Sequence, residues 1–240
     1  MQIDVQLLPI PVPASSLSRK TVVVIDVLRA TSVIVQAISQ GALEILPVIT
    51  VEEAFRRGST FPEGTVLLGG ERGSRKIDGF DLGNSPKEYL PEKVRGKRIV
   101  LTTTNGTRAF YSVMSAKEVL AGAFFNIGAV ARRCVATGDD LLIYPSGDTG
   151  RFSLEDVVCG GMLIHRILSL GEKAELTDAG QAALILYRRF EADLTEAFRL
   201  SIHGRDLIGR GFEEDLPFCA RIDVTEVVPV FREGAIRPLG

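Results

Sequence analysis

The chain has 240 residues, 45% hydrophobic and 24% charged, enough to bury a large core as one domain or as two closely joined halves. Its formal net charge of −2 argues against a nucleic-acid or anionic-membrane footprint, so any anionic partner should be small. Cys134, Cys159 and Cys219 form no C-x-x-C pair, and the first twelve residues lack the basic start and apolar core of a signal peptide. No apolar run approaches the roughly 20 residues that span a bilayer. The expectation is a reduced, soluble, cytoplasmic protein, with homo-oligomerisation left open.

In chain order, Thr21 to Val27 reads as a buried strand and Ser32 to Gln40 as a helix closed by Gly41. Ile45 to Thr50 predicts a strand, Val51 to Arg57 a short helix and Thr65 to Leu68 another strand. Ser85 has the character of an N-cap, with Pro86 at the first helical position. Arg98 to Leu101 then predicts a strand, followed by a helix from Thr107 to Met114. Glu118 to Ala121, a helix from Ile127 to Ala136 and a strand from Asp140 to Tyr144 continue the alternation.

From Ser153 to Leu170 the sequence predicts the longest helix, Ser153 being its N-cap and Asp156 the third residue of a capping-box variant. Further helices run through Gly211. Val224 to Phe231 reads as a strand, with Arg232 to Ala235 as a turn that brings Ile236 back against it. Strands alternating with crossover helices imply a three-layer α/β/α fold on a mixed, mostly parallel sheet. No linker or internal repeat divides it.

Several chemistries are disfavoured. His165 and His203 are too few for a histidine-rich metal centre, whereas Asp and Glu beside polar turns suit magnesium, which prefers oxygen ligands. Neither G-x-x-x-x-G-K-[ST] nor G-x-G-x-x-G occurs. Cys159 reads as core packing. His203, followed by Gly204 and Arg205, reads as an ordinary helix-end or hydrogen-bonding residue.

Four polar turns remain. Asp26 ends the apolar run Val22 to Ile25, at the strand edge where open α/β sheets place their ligands. It is followed by Arg29, Thr31 and Ser32, which can bind phosphate or sulfonate oxygens while Asp26 binds metal or acts as nucleophile. The alternative is structural: Asp26 or Thr31 caps the helix and Arg29 pairs with a carboxylate. Glu71 and Arg72 leave a second strand through Gly69-Gly70, and Glu71 with Asp81 can supply metal oxygens, with Asn84 nearby.

The third turn, Thr102 to Ala109, offers the Thr103, Thr104 and Thr107 hydroxyls, the Asn105 amide and the small Gly106 to a phosphoryl group. Read alone, Asn105-Gly106 is only a turn signal. A fourth turn, Ser146 to Gly150, makes Asp148, Glu155 and Asp156 secondary candidates. Glu155 and Asp156 also suit a first helical turn on dipole grounds alone.

Val24-Ile25-Asp26-Val27-Leu28-Arg29-Ala30-Thr31-Ser32, Gly69-Gly70-Glu71-Arg72-Gly73, Gly79-Phe80-Asp81-Leu82-Gly83-Asn84-Ser85-Pro86 and Thr102-Thr103-Thr104-Asn105-Gly106-Thr107-Arg108-Ala109 together resemble the 2-phosphosulfolactate phosphatase family. The resemblance runs nearly end to end and includes Phe152 to Asp156, His203 to Arg205 and Gly211 to Ala220. It implies a fold particular to that family and a magnesium-dependent acid phosphatase hydrolysing 2-phospho-3-sulfolactate, a small anionic phosphoester, in coenzyme M biosynthesis. Ser74 departs from it, standing where a second glycine is expected.

The mechanism this suggests has magnesium held by Asp26 with Glu71 or Asp81, and Arg29, Arg72 and the Thr103 to Thr107 turn gripping substrate oxygens. Leu28 stands where aspartate phosphatases carry a second aspartate, which favours attack by water over a phosphoaspartyl route. The competing functions are hydrolysis of another phosphorylated hydroxy acid and anion binding without catalysis.

Overall fold

The computed structural model describes residues 1–239, and their strands form one sheet. The strands are β1 Gln2–Val5, β2 Lys20–Ile25, β3 Glu44–Pro47, β4 Val66–Arg72, β5 Arg75–Lys76 and β6 Arg98–Thr102. They continue as β7 Glu118–Gly122, β8 Asp140–Pro145, β9 Glu175–Leu176, β10 Pro229–Arg232 and β11 Ala235–Pro238. Their spatial order is β5-β4-β6-β3-β11-β10-β7-β2-β8-β1-β9. Six of the ten pairings are parallel and four antiparallel, so the sheet is mixed and mostly parallel, as expected.

Two parallel blocks, β4-β6-β3 and β7-β2-β8-β1-β9, are joined by the antiparallel hairpin β10-β11. Because β3 opposes β11, β11 opposes β10 and β10 opposes β7, the two blocks run in opposite directions. In a flat sheet their carboxyl edges would lie at opposite ends. A twist of roughly 20–25° per pairing, accumulated over the five steps from β6 to β2, turns them by about 100–125° and brings those edges round toward one another.

Strand β2 is buried on both faces, as a strand flanked by parallel neighbours requires. Val23 and Ile25 enter a core shared with helices Ile127–Thr137 and Leu154–Ser169. Val22 and Val24 enter a second core under helices Ala30–Ser39 and Gly106–Ser112. Helix Val51–Gly58 covers a third, smaller core on the β4-β6 side. Cys159 is fully buried in the first core, consistent with packing.

Some boundaries differ from the sequence reading. The strand expected over Thr65 to Leu68 continues to Arg72, since Gly69 and Gly70 keep their pairing with β6. The strand expected over Val224 to Phe231 is confined to β10. Before it, Asp223 N–H donates to the Phe124 carbonyl at 3.0 Å and Thr225 N–H to that of Phe125 at 3.1 Å, which ties the segment to a helical turn instead of a ladder. Ser153 caps its helix as expected, its hydroxyl accepting the Asp156 N–H at 3.4 Å.

Candidate active site

The turn after β2 is built by short local bonds. Thr31 Oγ1 accepts the Asp26 N–H at 2.9 Å, Asp26 Oδ1 accepts the Ala30 N–H at 3.1 Å, and the Ser32 hydroxyl donates to the Val27 carbonyl at 2.8 Å. Thr31 and Ser32 are therefore fully buried framework, not substrate contacts, because their hydroxyls are spent on the turn. Asp26 reaches the wall of a cavity of about 330 Å³. Burial raises its carboxyl above the usual range and the nearby Glu71 adds to that, against lowering by the Ala30 N–H, Ser146 and His203.

Arg29 also lines the cavity, yet is only 2% exposed. Its Nη1 donates to Asp215 Oδ2 at 2.6 Å, its Nη2 to the Ser74 carbonyl at 3.0 Å, and its guanidinium lies 4.3 Å from the Phe212 ring centroid. Asp215 is itself held by the Ser85 hydroxyl at 2.6 Å. Thus Ser85 precedes a 3-10 turn, Pro86–Glu88, but its side chain serves Asp215 instead of capping that turn. Arg29 Nε and Asn84 Oδ1 are buried without partners beside the cavity.

Glu71 acts as a clasp. Its Oε2 accepts the Ser74 N–H and its Oε1 the Thr104 N–H, both at 2.8 Å, tying the loop after β4 to the turn after β6. Ser74 has φ +65°, the left-handed backbone that explains the expectation of glycine there. In return its hydroxyl donates to Asp206 Oδ2 at 3.1 Å.

Arg72 points the other way, donating to the Glu71 and Ile49 carbonyls and to Thr102 Oγ1 at 2.7 to 2.9 Å. It is therefore withdrawn from the expected substrate contacts: adjacent residues of one strand face opposite sides, and Glu71 takes the cavity side. Asp81 is withdrawn too. It is exposed outside the cavity, and its Oδ2 accepts the Leu68 N–H at 2.8 Å.

In the turn after β6, Thr103, Thr104 and Asn105 line the cavity. Thr107 does not, being fully buried and bonded reciprocally to Thr103 through backbone and side chain at 3.1 to 3.3 Å. Gly106 sits directly against the turn after β2. A Cβ there would lie 2.6 Å from Asp26 Oδ2 and 2.5 Å from the Ala30 Cβ, so only glycine admits this approach. Asn105 Oδ1 accepts the Thr149 N–H at 3.2 Å, which draws in the loop carrying Asp148.

Glu155 and Asp156 lie behind the cavity, each 3% exposed. Asp156 Oδ1 accepts the Val27 N–H at 2.8 Å, bracing the Asp26 turn, whereas Glu155 Oε2 is buried without a partner. Burial raises both carboxyls; for Asp156, the nearby Asp26 and Glu155 raise it further.

The sequence reading passed over one wall of the cavity. Helix Ile202–Gly209 and the residue after it present His203, Asp206 and Arg210 there, so His203, in the helix's first turn as a helix-end residue should be, also faces the cavity. The signal was the spacing of His203, Asp206 and Arg210, three and four residues apart, which puts them on one helical face.

Of the magnesium ligands expected from the sequence, Asp26 and Glu71 meet at the cavity, each Glu71 oxygen accepting one backbone N–H, whereas Asp81 lies outside it. Among the described residues no three His, Cys, Asp or Glu side chains form a cation cage. The donor chemistry nevertheless fits magnesium, which keeps several waters and takes one or two carboxylates plus substrate phosphate oxygens. Asp26 and Asp148 are cavity carboxylates that make no ion pair within the 4.0 Å limit among the described residues.

The cavity wall carries Asp26, Glu71, Asp148 and Asp206 against Arg29, Arg210 and His203. Counted as formal charges with His203 neutral this sums to −2, a balance in which a companion cation would favour an anionic ligand.

Comparison with known proteins places this geometry in context. The family described as 2-phosphosulpholactate phosphatase matches residues 7–234. A probable 2-phosphosulfolactate phosphatase of Caldanaerobacter subterraneus subsp. tengcongensis is 45% identical over 221 residues, 92% of this chain and 91% of the relative. Proteins of the same description from Thermotoga petrophila and Clostridium beijerinckii are 43% and 37% identical, spanning 92% and 98% of this chain and 93% and 99% of theirs.

Proposed function

Since the chain belongs to the 2-phosphosulpholactate phosphatase family and is thereby a phosphoric monoester hydrolase, we propose that it hydrolyses 2-phospho-3-sulfolactate to 3-sulfolactate and phosphate with the help of magnesium. The observation that carries this reading is the convergence of the turns after β2, β4 and β6 on one charged cavity, with Arg29 Nε buried there and unpartnered. A buried guanidinium donor without an acceptor is placed for a phosphoryl or sulfonate oxygen.

In this reading Arg29 is fixed by Asp215 and the Ser74 carbonyl and offers its unpartnered Nε–H to the ester's oxygens. Thr103, Thr104 and Asn105 hold the phosphoryl group from the other block of the sheet. Asp26 and Asp148 would hold magnesium, which supplies the positive charge that a polyanionic ester needs beside so many carboxylates. Water attacks phosphorus opposite the ester oxygen, the P–O bond breaks, and the departing alkoxide must gain a proton. A cytoplasmic location and a place in coenzyme M biosynthesis complete the proposal and rest on the family resemblance.

The test is phosphate release from 2-phospho-3-sulfolactate with magnesium and with chelator, comparing wild type with Asp26→Asn and running phospholactate in parallel. Magnesium- and Asp26-dependent turnover that prefers the sulfonate supports the proposal. Preference for phospholactate would keep the chemistry and change the substrate. Tight ester binding without phosphate release would replace catalysis by anion binding.

A further inference from the structure

The alkoxide of a secondary alcohol is a poor leaving group, and the cavity must supply its proton. We propose that His203 is the general acid that protonates the departing ester oxygen. This inference rests on the phosphatase reading and adds to it the one partner that the residues named so far do not provide.

Three observations carry it. His203 lines the cavity, half-buried, on a helix rigidly placed against its neighbour. Ser201 Oγ caps that helix by accepting the Gly204 N–H at 2.9 Å. A Cβ on Gly204 would lie 1.9 Å from the Phe198 carbonyl oxygen, so the backbone next to His203 is pressed onto helix Leu194–Leu200 as closely as glycine allows. A histidine held this way loses little freedom on meeting substrate.

Other proton donors on the wall fit less well. Asp206 is bonded by Arg210 Nε at 2.7 Å and by Ser74, and these bonds hold it in its charged form. Arg29 and Arg210 do not give up protons near neutrality.

The step balances. A water oxygen forms the new bond to phosphorus as the bond to the ester oxygen breaks. The proton on His203 goes to that oxygen, giving the hydroxyl of 3-sulfolactate. The proton lost by water leaves with phosphate or to solvent, and His203 regains its own from solvent.

The test compares leaving groups. General acids contribute roughly 10²–10⁴-fold, and this contribution matters for an alkoxide far more than for an aryloxide that departs unaided. His203→Asn and His203→Gln should lose about 100-fold or more with 2-phospho-3-sulfolactate but less than about fivefold with 4-nitrophenyl phosphate. The ¹⁸O isotope effect at the bridging oxygen of phosphosulfolactate should also rise in the His203 variants, because that oxygen then leaves unprotonated. Equal losses on both esters with an unchanged isotope effect would overturn the assignment of His203 while leaving the phosphatase reading intact. A wild-type protein that cleaves neither ester removes both.

Discussion

Gly106→Ala separates the site from the fold. The added methyl would meet Ala30 Cβ at 2.5 Å and Asp26 Oδ2 at 2.6 Å, where ordinary contact begins near 3.4 Å, so the two turns must part by close to 1 Å. Alanine gains up to about 1 kcal/mol over glycine in a helix, while overpacking costs about 1–3 kcal/mol. The net loss is therefore about 0–3 kcal/mol, a fall in Tm of at most ~12 °C for a domain of this size. A displacement of about 1 Å at a reacting group costs on the order of 100-fold in rate. Phosphate release and thermal melting should thus show an enzyme that is folded but slowed about a hundredfold. Gly209→Ala, whose methyl meets nothing within 4 Å, is the matched control. Turnover of Gly106→Ala within threefold of wild type would refute the placement of Asp26 at the chemistry.

Three further outcomes follow from the buried charges. Asp215→Ala leaves the Arg29 guanidinium buried without its counter-charge, and urea unfolding should show a loss of about 3–5 kcal/mol. A loss below about 1 kcal/mol would show that the pair is not what holds Arg29. Glu71→Gln turns an amide N–H₂ against one of two backbone donors, costing about 1–3 kcal/mol, and should lower kcat more than tenfold as the Thr103–Thr104 turn shifts. Unchanged kcat in a destabilised variant would confine Glu71 to folding.

The third concerns pH. Burial raises the Asp156 carboxyl well above its ordinary value, so between that value and the raised one the native chain binds a proton the unfolded chain has released. This contribution is full below the ordinary carboxylate range and fades as pH rises through the raised pKa. In chelator, Asp156→Asn should therefore flatten the fall of Tm with rising pH; a slope as steep as wild type would count against the assignment.

Much of this was legible in the sequence because the informative residues sit where periodicity changes. Val22 to Ile25 is an unbroken apolar run, so Asp26 had to emerge at its end, and Thr103 had to follow β6 for the same reason. Arg72 was misread because the strand was ended at Leu68; carried on to Arg72, period-2 alternation alone separates it from Glu71. Ser74 was hidden differently, since its φ of +65° cannot be inferred from a serine. The partners of Arg29 and the approach of His203 were out of reach for another reason. Asp215 is 186 residues from Arg29, and no local pattern encodes a pairing at that range.

The antiparallel hairpin that splices the two blocks has a consequence for the order of events during synthesis. β10 and β11 follow every other strand in the chain, yet they occupy the middle of the sheet. A nascent chain that has emerged only as far as residue 225 has both blocks but no seam, with β3 and β7 each presenting an unpaired inner edge. The blocks are then joined only through the core they share beneath helices Ala30–Ser39 and Gly106–Ser112, so the cavity that Asp26 and Thr103 line lacks the seam that completes its frame. The binding-competent enzyme should appear in a single late step, and until then those two open edges are the places where a chaperone or another copy of the chain would attach.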